Sequence, residues 1–351
     1  MKRSLILIIL SLVAMNVYSA DISSESNDSV GNETLKKRPK KYMFDSVNPD
    51  VHDPVMAKES GVYYVFSTGN GLGMMSSNDL RTWKPEKSPL SPALAWAVGF
   101  VPTYKGHTWA PDIIKVRDRW YLYYSCSTFG KNISVIGVAV NKTLDTESPE
   151  YKWEDLGMVV RSEPGVNDWN AIDPNVTIDD EGKPWMTFGS FWDGIQLVRL
   201  DDDMKTPLGE PVTIARRRSA ESVDHGKEIA NDNAIEAPFI VRHDDYWYLF
   251  ASYDYCCRGL KSTYKTAVGR SRSIEGPYVD REGKPMTECG GEILIGETPE
   301  YSGVGHCSVY EMDGKWYFVA HGYDKSHNGA SKLVVRTIDW KEGWPVINKK
   351  I

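Results

Sequence analysis

The chain has no excess of positive charge. Its 41 lysines and arginines are outnumbered by 48 aspartates and glutamates, which gives a formal net charge of −7 over 351 residues. A surface that binds nucleic acid needs a basic excess, so the composition excludes nucleic acid as a partner. The hydrophobic fraction of 41% and the aromatic fraction of 11% nevertheless allow a large core, in one large domain or two ordinary ones.

Cysteine is scarce, and its spacing excludes the common metal clusters. There are five cysteines, an odd number, and no pair has the C-x-x-C spacing of a zinc site. Two of them are adjacent, and a disulfide between neighbours would be strained. Buried free thiols are the simplest expectation, although one or two bridges stay open because spacing fixes no connectivity. The five residues are Cys126, Cys256, Cys257, Cys289 and Cys307.

Long apolar runs are absent except at the N-terminus. There, basic Lys2 and Arg3 precede the short run SLILIILSLVAMNV. A bilayer span needs about 20 apolar residues, so a membrane anchor is the weaker interpretation. We expect residues 1–20 to be a secretory signal peptide that is cleaved near Ser19 or Ala20.

The segment after the signal is polar and lacks aromatic residues until its end. Residues 21–44 are rich in serine and asparagine at first, and we expect them to form a flexible leader because they cannot bury enough apolar surface to fold. Residues 45–351 then form the folded domain. This organisation predicts a secreted or periplasmic protein with no membrane anchor after signal removal.

An internal repeat extends through the folded part of the chain. Five segments share one plan: an entry element, a short apolar strand, a tight polar turn and an aromatic strand such as WYLYY or YWYLF. The entry recurs at intervals of about sixty residues, as expected for structural repeats. The segments begin at His52, Trp109, Ile172, Glu236 and Gly305.

Repeats of this length, built from strands, are typical of propeller blades of four strands each. We therefore predict an all-β chain that folds as one five-bladed β-propeller. A two-sheet sandwich is the alternative, but a sandwich gives no reason for the entry motif to recur.

The propeller prediction brings acidic residues together. The innermost strands line the central channel, so the positions before the entry prolines and their equivalent in the fifth unit converge: Asp53, Ala110, Asp173, Ala237 and His306. In the fourth unit the acid is displaced by one position, to Glu236. Clustered carboxyls separate in pKa into a charged base and a protonated acid. That pair is what cleavage of a glycosidic bond requires.

The motifs HDP, HTWAPDI, STFGKNISVIGVAV, NAIDPN, FGSFWDGI, NAIEAPFI and YDYCCRG occur in this order. The set resembles the endo-1,5-α-L-arabinanases of glycoside hydrolase family 43, over residues 48–340. The resemblance implies a five-bladed propeller that cleaves internal α-1,5 bonds of arabinan with inversion. It makes Asp53 the general base, Glu236 the general acid, and Asp173 the residue that raises the pKa of the acid and orients it. The two reacting carboxyls should stand roughly 6.5–9.5 Å apart.

The resemblance also implies a divalent cation, calcium, in the channel with His306 as a direct ligand. Calcium prefers oxygen ligands, so water would have to complete most of its shell. A neutral channel histidine that bonds to backbone is the alternative. Cys307 departs from many relatives, which leaves the geometry around His306 open.

Five residues are candidates for contact with the sugar. Trp109 ranks first as a stacking platform, with packing between blades as its alternative. Packing between blades is an even stronger alternative for Trp192, and Phe129 lies in a loop. The candidates are Trp109, Asn170, Ser190, Trp192 and Phe129.

Two further functions compete with internal cleavage of arabinan. One is an exo-acting arabinofuranosidase or β-xylosidase of the same family, and the other is a propeller that binds carbohydrate without cleaving it. Retention of all three acids and His306 argues against the second. A monomer is the default expectation, and the YDYCCRGLKSTY segment with Arg258 has no assigned role.

Overall fold

The computed structural model describes residues 44–90, 94–222, 230 and 232–349. The predicted signal peptide (1–20) and the predicted leader (21–44), apart from residue 44, lie outside the described residues. In the described part of the chain, no helix has the length and apolar character needed to cross a membrane.

The described residues form five antiparallel sheets, each following its predecessor along the chain. The first part of the chain contributes β1 (Val55–Glu59), β2 (Val62–Ser67), β3 (Gly69–Asn70), β4 (Gly73–Ser77) and β5 (Lys84–Pro85). The second contributes β6 (His107–Val116), β7 (Arg119–Ser127), β8 (Ser134–Asn141) and β9 (Glu154–Ser162). The third contributes β10 (Asn175–Ile178), β11 (Pro184–Phe188), β12 (Ile195–Arg199) and β13 (Val212–Ala215).

The remaining two sheets complete the ring. The fourth contains β14 (Ile235–His243), β15 (Tyr246–Tyr253), β16 (Lys265–Ser271) and β17 (Glu292–Ile295). The fifth contains β18 (Tyr301–Met312), β19 (Lys315–Asp324), β20 (Ala330–Lys341) and β21 (Trp344–Ile347). The helices are short: α1 (Ala95–Val98) and 3-10 turns at Ala220–Ser222, Gly259–Lys261, Met286–Glu288 and Lys325–His327.

These sheets are the blades of a five-bladed β-propeller, which confirms the predicted fold. Each blade has the strand order expected of an up-and-down meander, and β3 alone leaves its own blade to pair with β6. Each of five clusters of buried apolar residues takes its members from two neighbouring blades; Phe66 of β2 and Tyr124 of β7, for example, share one cluster. The core therefore lies between the blades, where aromatic residues of the second strands are buried.

The ring is closed by main-chain bonds between the two ends of the propeller. Val51 N–H donates to the carbonyl of Ser331 at 3.1 Å, and Leu333 N–H donates to that of Pro49 at 3.1 Å. The segment before β1 thus runs beside β20 and joins the first blade to the fifth.

The repeated entry positions share one backbone conformation. All five have a positive φ, which is uncommon for residues other than glycine: Asp53 (55°), Ala110 (43°), Asp173 (58°), Ala237 (52°) and His306 (49°). Their equivalence, inferred from the repeat, is therefore visible in the structure.

A side chain of the preceding blade accepts the N–H of each of these residues. The pairs are Ala110 N to Thr68 Oγ1 (2.8 Å), Asp173 N to Ser125 Oγ (3.1 Å), Ala237 N to Asp173 Oδ2 (3.1 Å), His306 N to Ser252 Oγ (2.7 Å) and Asp53 N to His321 Nδ1 (3.1 Å). This ring of bonds sets the blades in register around the axis. It also holds the entry side chains at the centre of the propeller.

Candidate active site

Asp53 is a buried carboxylate that is surrounded by donors. Its Oδ1 contacts His52 Nδ1 at 2.7 Å and His306 Nδ1 at 2.9 Å, and its Oδ2 accepts from Thr68 Oγ1 at 2.5 Å. Burial alone would raise its pKa, but His306 and His52 outweigh burial and hold the pKa of Asp53 well below its usual range. Asp53 is therefore ionised at neutral pH, as a general base must be.

The surroundings of Glu236 shift its pKa in the direction opposite to that of Asp53. Its Oε1 contacts the hydroxyl of Tyr264 and its Oε2 that of Ser190, each at 2.8 Å. Burial and the nearby Cys257 raise the pKa of Glu236, against the opposing effect of these two hydroxyls and of His306. A raised pKa keeps the carboxyl protonated for longer as pH rises, as a general acid requires.

Asp173 interacts electrostatically with both Asp53 and Glu236. Burial, together with the charges of Glu236 and Asp53, raises the pKa of Asp173 to about 8, although His306 opposes the shift. Its Oδ2 accepts from the N–H of Ala237, the residue after Glu236, so Asp173 fixes the backbone that carries the acid.

His306 is buried among the three acids. Burial opposes its charged form, but Asp53 and then Asp173 and Glu236 outweigh burial and raise the pKa of His306 to about 9. Its Nδ1 is used by Asp53, which leaves Nε2 as the ring nitrogen that could face a cation. Among the described residues, no group of three metal-binding side chains includes His306. His306 therefore offers one imidazole nitrogen at most, and a cation there would have to displace the Nε2 proton that the raised pKa retains.

A second histidine cluster beside Asp53 has the composition of a metal site but not its bonding. His52, Asp53 and His321 offer ligand atoms within 4.8 Å of one another. However, His321 Nδ1 already accepts the N–H of Asp53 at 3.1 Å, and His52 Nδ1 is bonded to the Asp53 carboxylate. An ion there would have to displace the bonds that hold the base, so we interpret the cluster as support for Asp53.

Sequence reasoning missed several of these supporting residues. Thr68 and His321 each follow an entry residue, Asp53 and His306, by fifteen positions, a spacing that the repeat itself could have shown. Tyr264 lies in the YDYCCRGLKSTY segment, for which the sequence suggested no role.

The predicted sugar-binding residues have different surroundings. Trp109 is half-buried, and its Nε1 donates to His107 Nδ1 at 2.8 Å, so part of its ring stays accessible. Asn170 is buried and accepts from Ser134 Oγ at 2.6 Å. Ser190 is buried against the carboxyl of Glu236, which makes it a partner of the acid.

Trp192 requires a correction. Its side chain is only 2% exposed, and its carbonyl accepts from Asn233 Nδ2 at 2.8 Å. A ring with no free face cannot stack on a sugar, so Trp192 is a packing residue here. Phe129, in contrast, is 78% exposed in the loop after β7 and is free to contact a ligand.

The expectation of buried thiols holds for only two of the five cysteines. All five are free, but only Cys126 and Cys307 are buried, while Cys257 is exposed. Cys307 packs in the apolar cluster between the fourth and fifth blades and does not enter the ring of acids.

The chain was compared with known proteins. The family model of glycosyl hydrolases family 43 matches residues 47–345. An extracellular exo-α-(1→5)-L-arabinofuranosidase of Cellvibrio japonicus is 46% identical over 305 residues, covering 86% of this chain and 87% of the relative. An extracellular endo-α-(1→5)-L-arabinanase of Bacillus subtilis is 40% identical over 302 residues, covering 85% and 88%.

A solved structure gives the same assignment. The exo-1,5-α-L-arabinanase from a bovine ruminal metagenomic library is similar with a TM-score of 0.83 and 57% identity, over 88% of this chain and 100% of the other. The match to the family model extends across all five blades and every residue of the candidate active site, so the chain belongs to glycosyl hydrolase family 43 and to its arabinan-degrading members.

Proposed function

We propose that this protein hydrolyses α-1,5-linked L-arabinan with inversion at the anomeric carbon. One observation carries the proposal: Asp53 contacts two imidazoles, whereas Glu236 contacts two hydroxyls, and their pKa values are accordingly shifted in opposite directions. A charged base and a protonated acid are the two groups that an inverting glycosidase needs. The names of the similar arabinan-degrading proteins support the substrate.

In the proposed reaction, Asp53 takes a proton from a water molecule whose oxygen attacks the anomeric carbon. The bond from that carbon to the leaving oxygen breaks as Glu236 donates its proton to this oxygen. Attack from the opposite face inverts the configuration, and no covalent sugar intermediate forms. Asp173 orients the acid through the Ala237 N–H and shares its electrostatic environment.

We propose that Nε2 of His306, after loss of its proton, would hold a calcium ion whose other ligands are mostly water. The ion would supply positive charge to the acids. His306 itself keeps its Nδ1 on Asp53 and so helps to hold the base.

The names of the relatives support one mode of cleavage more than the other. The relatives at 57% and 46% identity are named as exo-acting, and the one at 40% as endo-acting. We therefore propose release from chain ends, with internal cleavage as the second candidate, supported by the Bacillus subtilis relative. The two matched curated relatives are named extracellular, which supports secretion after removal of residues 1–20. We also propose that the protein is a monomer and that Trp109 and Phe129 contact the sugar.

The test is product analysis on linear arabinan by wild type and Glu236→Gln, with exposed Glu275→Gln as the matched control. The proposal predicts short products from the first time point, unchanged in the Glu275 variant and lost in the Glu236 variant. An early ladder of mixed lengths would favour internal cleavage. Full activity of Glu236→Gln, or no product from wild type, would contradict the proposed function.

A further inference from the structure

The loop after β15, which carries the YDYCCRG motif, contacts a residue that reaches the base. The backbone N–H of Cys257 donates to the hydroxyl of Tyr323 at 2.6 Å. The same hydroxyl lies 3.1 Å from His52 Nε2 and 3.3 Å from His321 Nε2. Because His52 Nδ1 contacts Asp53, a continuous path of hydrogen bonds joins this loop of the fourth blade to the general base.

The donors at the Tyr323 hydroxyl follow from its neighbours. His321 Nδ1 accepts the N–H of Asp53, so in a neutral ring Nε2 carries the proton and donates to Tyr323. The Tyr323 oxygen has two lone pairs, which Cys257 N–H and His321 Nε2–H then fill. Both acceptor positions of the Tyr323 oxygen are thus occupied, and His52 Nε2 is its third neighbour.

The Asp53 carboxylate fixes one proton of His52. An ionised carboxylate oxygen only accepts, so Nδ1 of His52 carries a proton and donates it to Oδ1 of Asp53. Burial opposes a charged His52, but Asp53 and the Cys257 thiol outweigh burial and raise the pKa of His52 well above its usual value. Nε2 of His52 has two neighbours, the Tyr323 oxygen at 3.1 Å and Cys257 Sγ at 3.8 Å. Stacking on His321, with ring centroids 4.0 Å apart, fixes the plane of the ring.

We propose that His52 and Tyr323 are positioning residues that hold the Asp53 carboxylate in the orientation needed to deprotonate water. The Cys257 backbone anchors them, which gives the YDYCCRG loop a role. The inference rests on the proposed function, in which Asp53 is the base. Oδ1 is held by His52 and His306 and Oδ2 by Thr68, so the direction left for water depends on these bonds. A shift of about 1 Å in such a group can lower the rate by about a hundredfold.

Two variants of His52 separate its two contacts. The amide nitrogen of asparagine can occupy the position of Nδ1, whereas that of glutamine reaches the position of Nε2. His52→Asn therefore keeps a donor for Asp53, and His52→Gln keeps only a partner for Tyr323. We expect kcat on linear arabinan to fall roughly ten- to a hundredfold in the glutamine variant, with KM nearly unchanged, and clearly less in the asparagine variant. Equal kcat values in the two variants would overturn the inference.

Tyr323→Phe tests the anchor, with Tyr278→Phe as its matched control. Both hydroxyls are buried, and that of Tyr278 donates only to the carbonyl of Ile274 at 2.7 Å, at the outer side of the fourth blade. We expect Tyr323→Phe to lower kcat severalfold at unchanged KM, and Tyr278→Phe to change thermal stability alone. A kcat loss no larger for Tyr323→Phe than for Tyr278→Phe contradicts the proposal.

A readout that does not need arabinan separates this inference from the proposed function. Nitrogen-15 imidazole spectra of the wild-type protein should show a proton on Nδ1 of His52 at neutral pH, and Tyr323→Phe should change the Nε2 shift of His52. A His52 ring without a proton on Nδ1, or an Nε2 shift that Tyr323→Phe leaves unchanged, overturns the network even if arabinan is hydrolysed. If wild type cleaves no arabinan but both spectroscopic results are obtained, the proposed function fails while the network stands.

Discussion

At Asp53 and Glu236, burial acts on both carboxyls in the same direction, and the neighbours decide which one is charged. Two imidazoles outweigh burial at Asp53, whereas Glu236 contacts only neutral hydroxyls. A carboxylate with a lowered pKa and a carboxyl with a raised pKa thus arise from the same type of group at the centre of the propeller. The distinction depends on individual hydrogen bonds, so single substitutions should shift it measurably.

Tyr264→Phe should move the alkaline limb of the pH profile upward. The Tyr264 hydroxyl stabilises the ionised form of Glu236 and lowers its pKa, so its removal lets the acid keep its proton to higher pH. A hydrogen bond to a charged group is worth about 1.5–3 kcal/mol, which corresponds to a shift of roughly one pH unit or more. The measurement is kcat/KM against pH, with Tyr278→Phe as control. A downward shift would show that the hydroxyl instead favours the protonated acid.

At the scale of the element, the entry residue of each blade has a positive φ, and its backbone N–H donates to a side chain of the preceding blade. The pattern needs a short polar side chain at the end of the second strand, which Thr68, Ser125 and Ser252 provide. In the third blade the strand ends at Phe188 and Gly189, and Asp173 accepts from the next blade instead. The acid thus has a structural task as well as the proposed chemical one.

Ser125→Ala should destabilise the protein. Ser125 is fully buried, and its hydroxyl accepts the N–H of Asp173, which would be left without a partner. An unpaired buried donor costs about 1–3 kcal/mol of the free energy of unfolding. Chemical denaturation measures this loss, and Ser88→Ala, which removes an exposed hydroxyl bonded to the Asn70 carbonyl, is the control. Equal stability of the two variants would show that the ring of bonds contributes little.

At the scale of the whole molecule, the ring is closed by a few main-chain bonds between the segment before β1 and β20, and three carboxyls and His306 lie buried at its centre. Asp53 is ionised beside His306, whereas Asp173 and Glu236 have raised pKa values. A cation that replaced the Nε2 proton of His306 would keep positive charge beside the Asp53 carboxylate. The proposed calcium ion would supply such charge.

Removal of a bound cation should therefore lower the melting temperature. A ligand that binds only the folded state stabilises it by mass action. We expect EDTA to lower Tm by several degrees at pH 7 and added calcium to restore it, as measured by scanning calorimetry. In His306→Ala the difference between the two conditions should disappear. A wild-type Tm that EDTA does not change, together with no calcium by elemental analysis, contradicts the calcium proposal.

The blade repeat, the entry register and the convergence of Asp53, Asp173, Glu236 and His306 could be predicted from the sequence, because a propeller turns equal spacing along the chain into proximity at the axis. The burial of Trp192 could not be predicted, because residue type does not show which face of a ring is covered. His52 and Tyr323 were missed for a different reason. Their significance depends on a hydroxyl that meets atoms of three blades, and no spacing within one repeat encodes that meeting.

The central claim is that Asp53 activates water while Glu236 protonates the leaving oxygen, and the stereochemistry of the product tests it most directly. Proton NMR during the first turnovers on an α-1,5-linked arabino-oligosaccharide identifies the anomer released before it equilibrates. The account predicts the β anomer, since water attacks the face opposite to the leaving group. Initial release of the α anomer would require a covalent intermediate and would contradict the assignment of Asp53 as a general base.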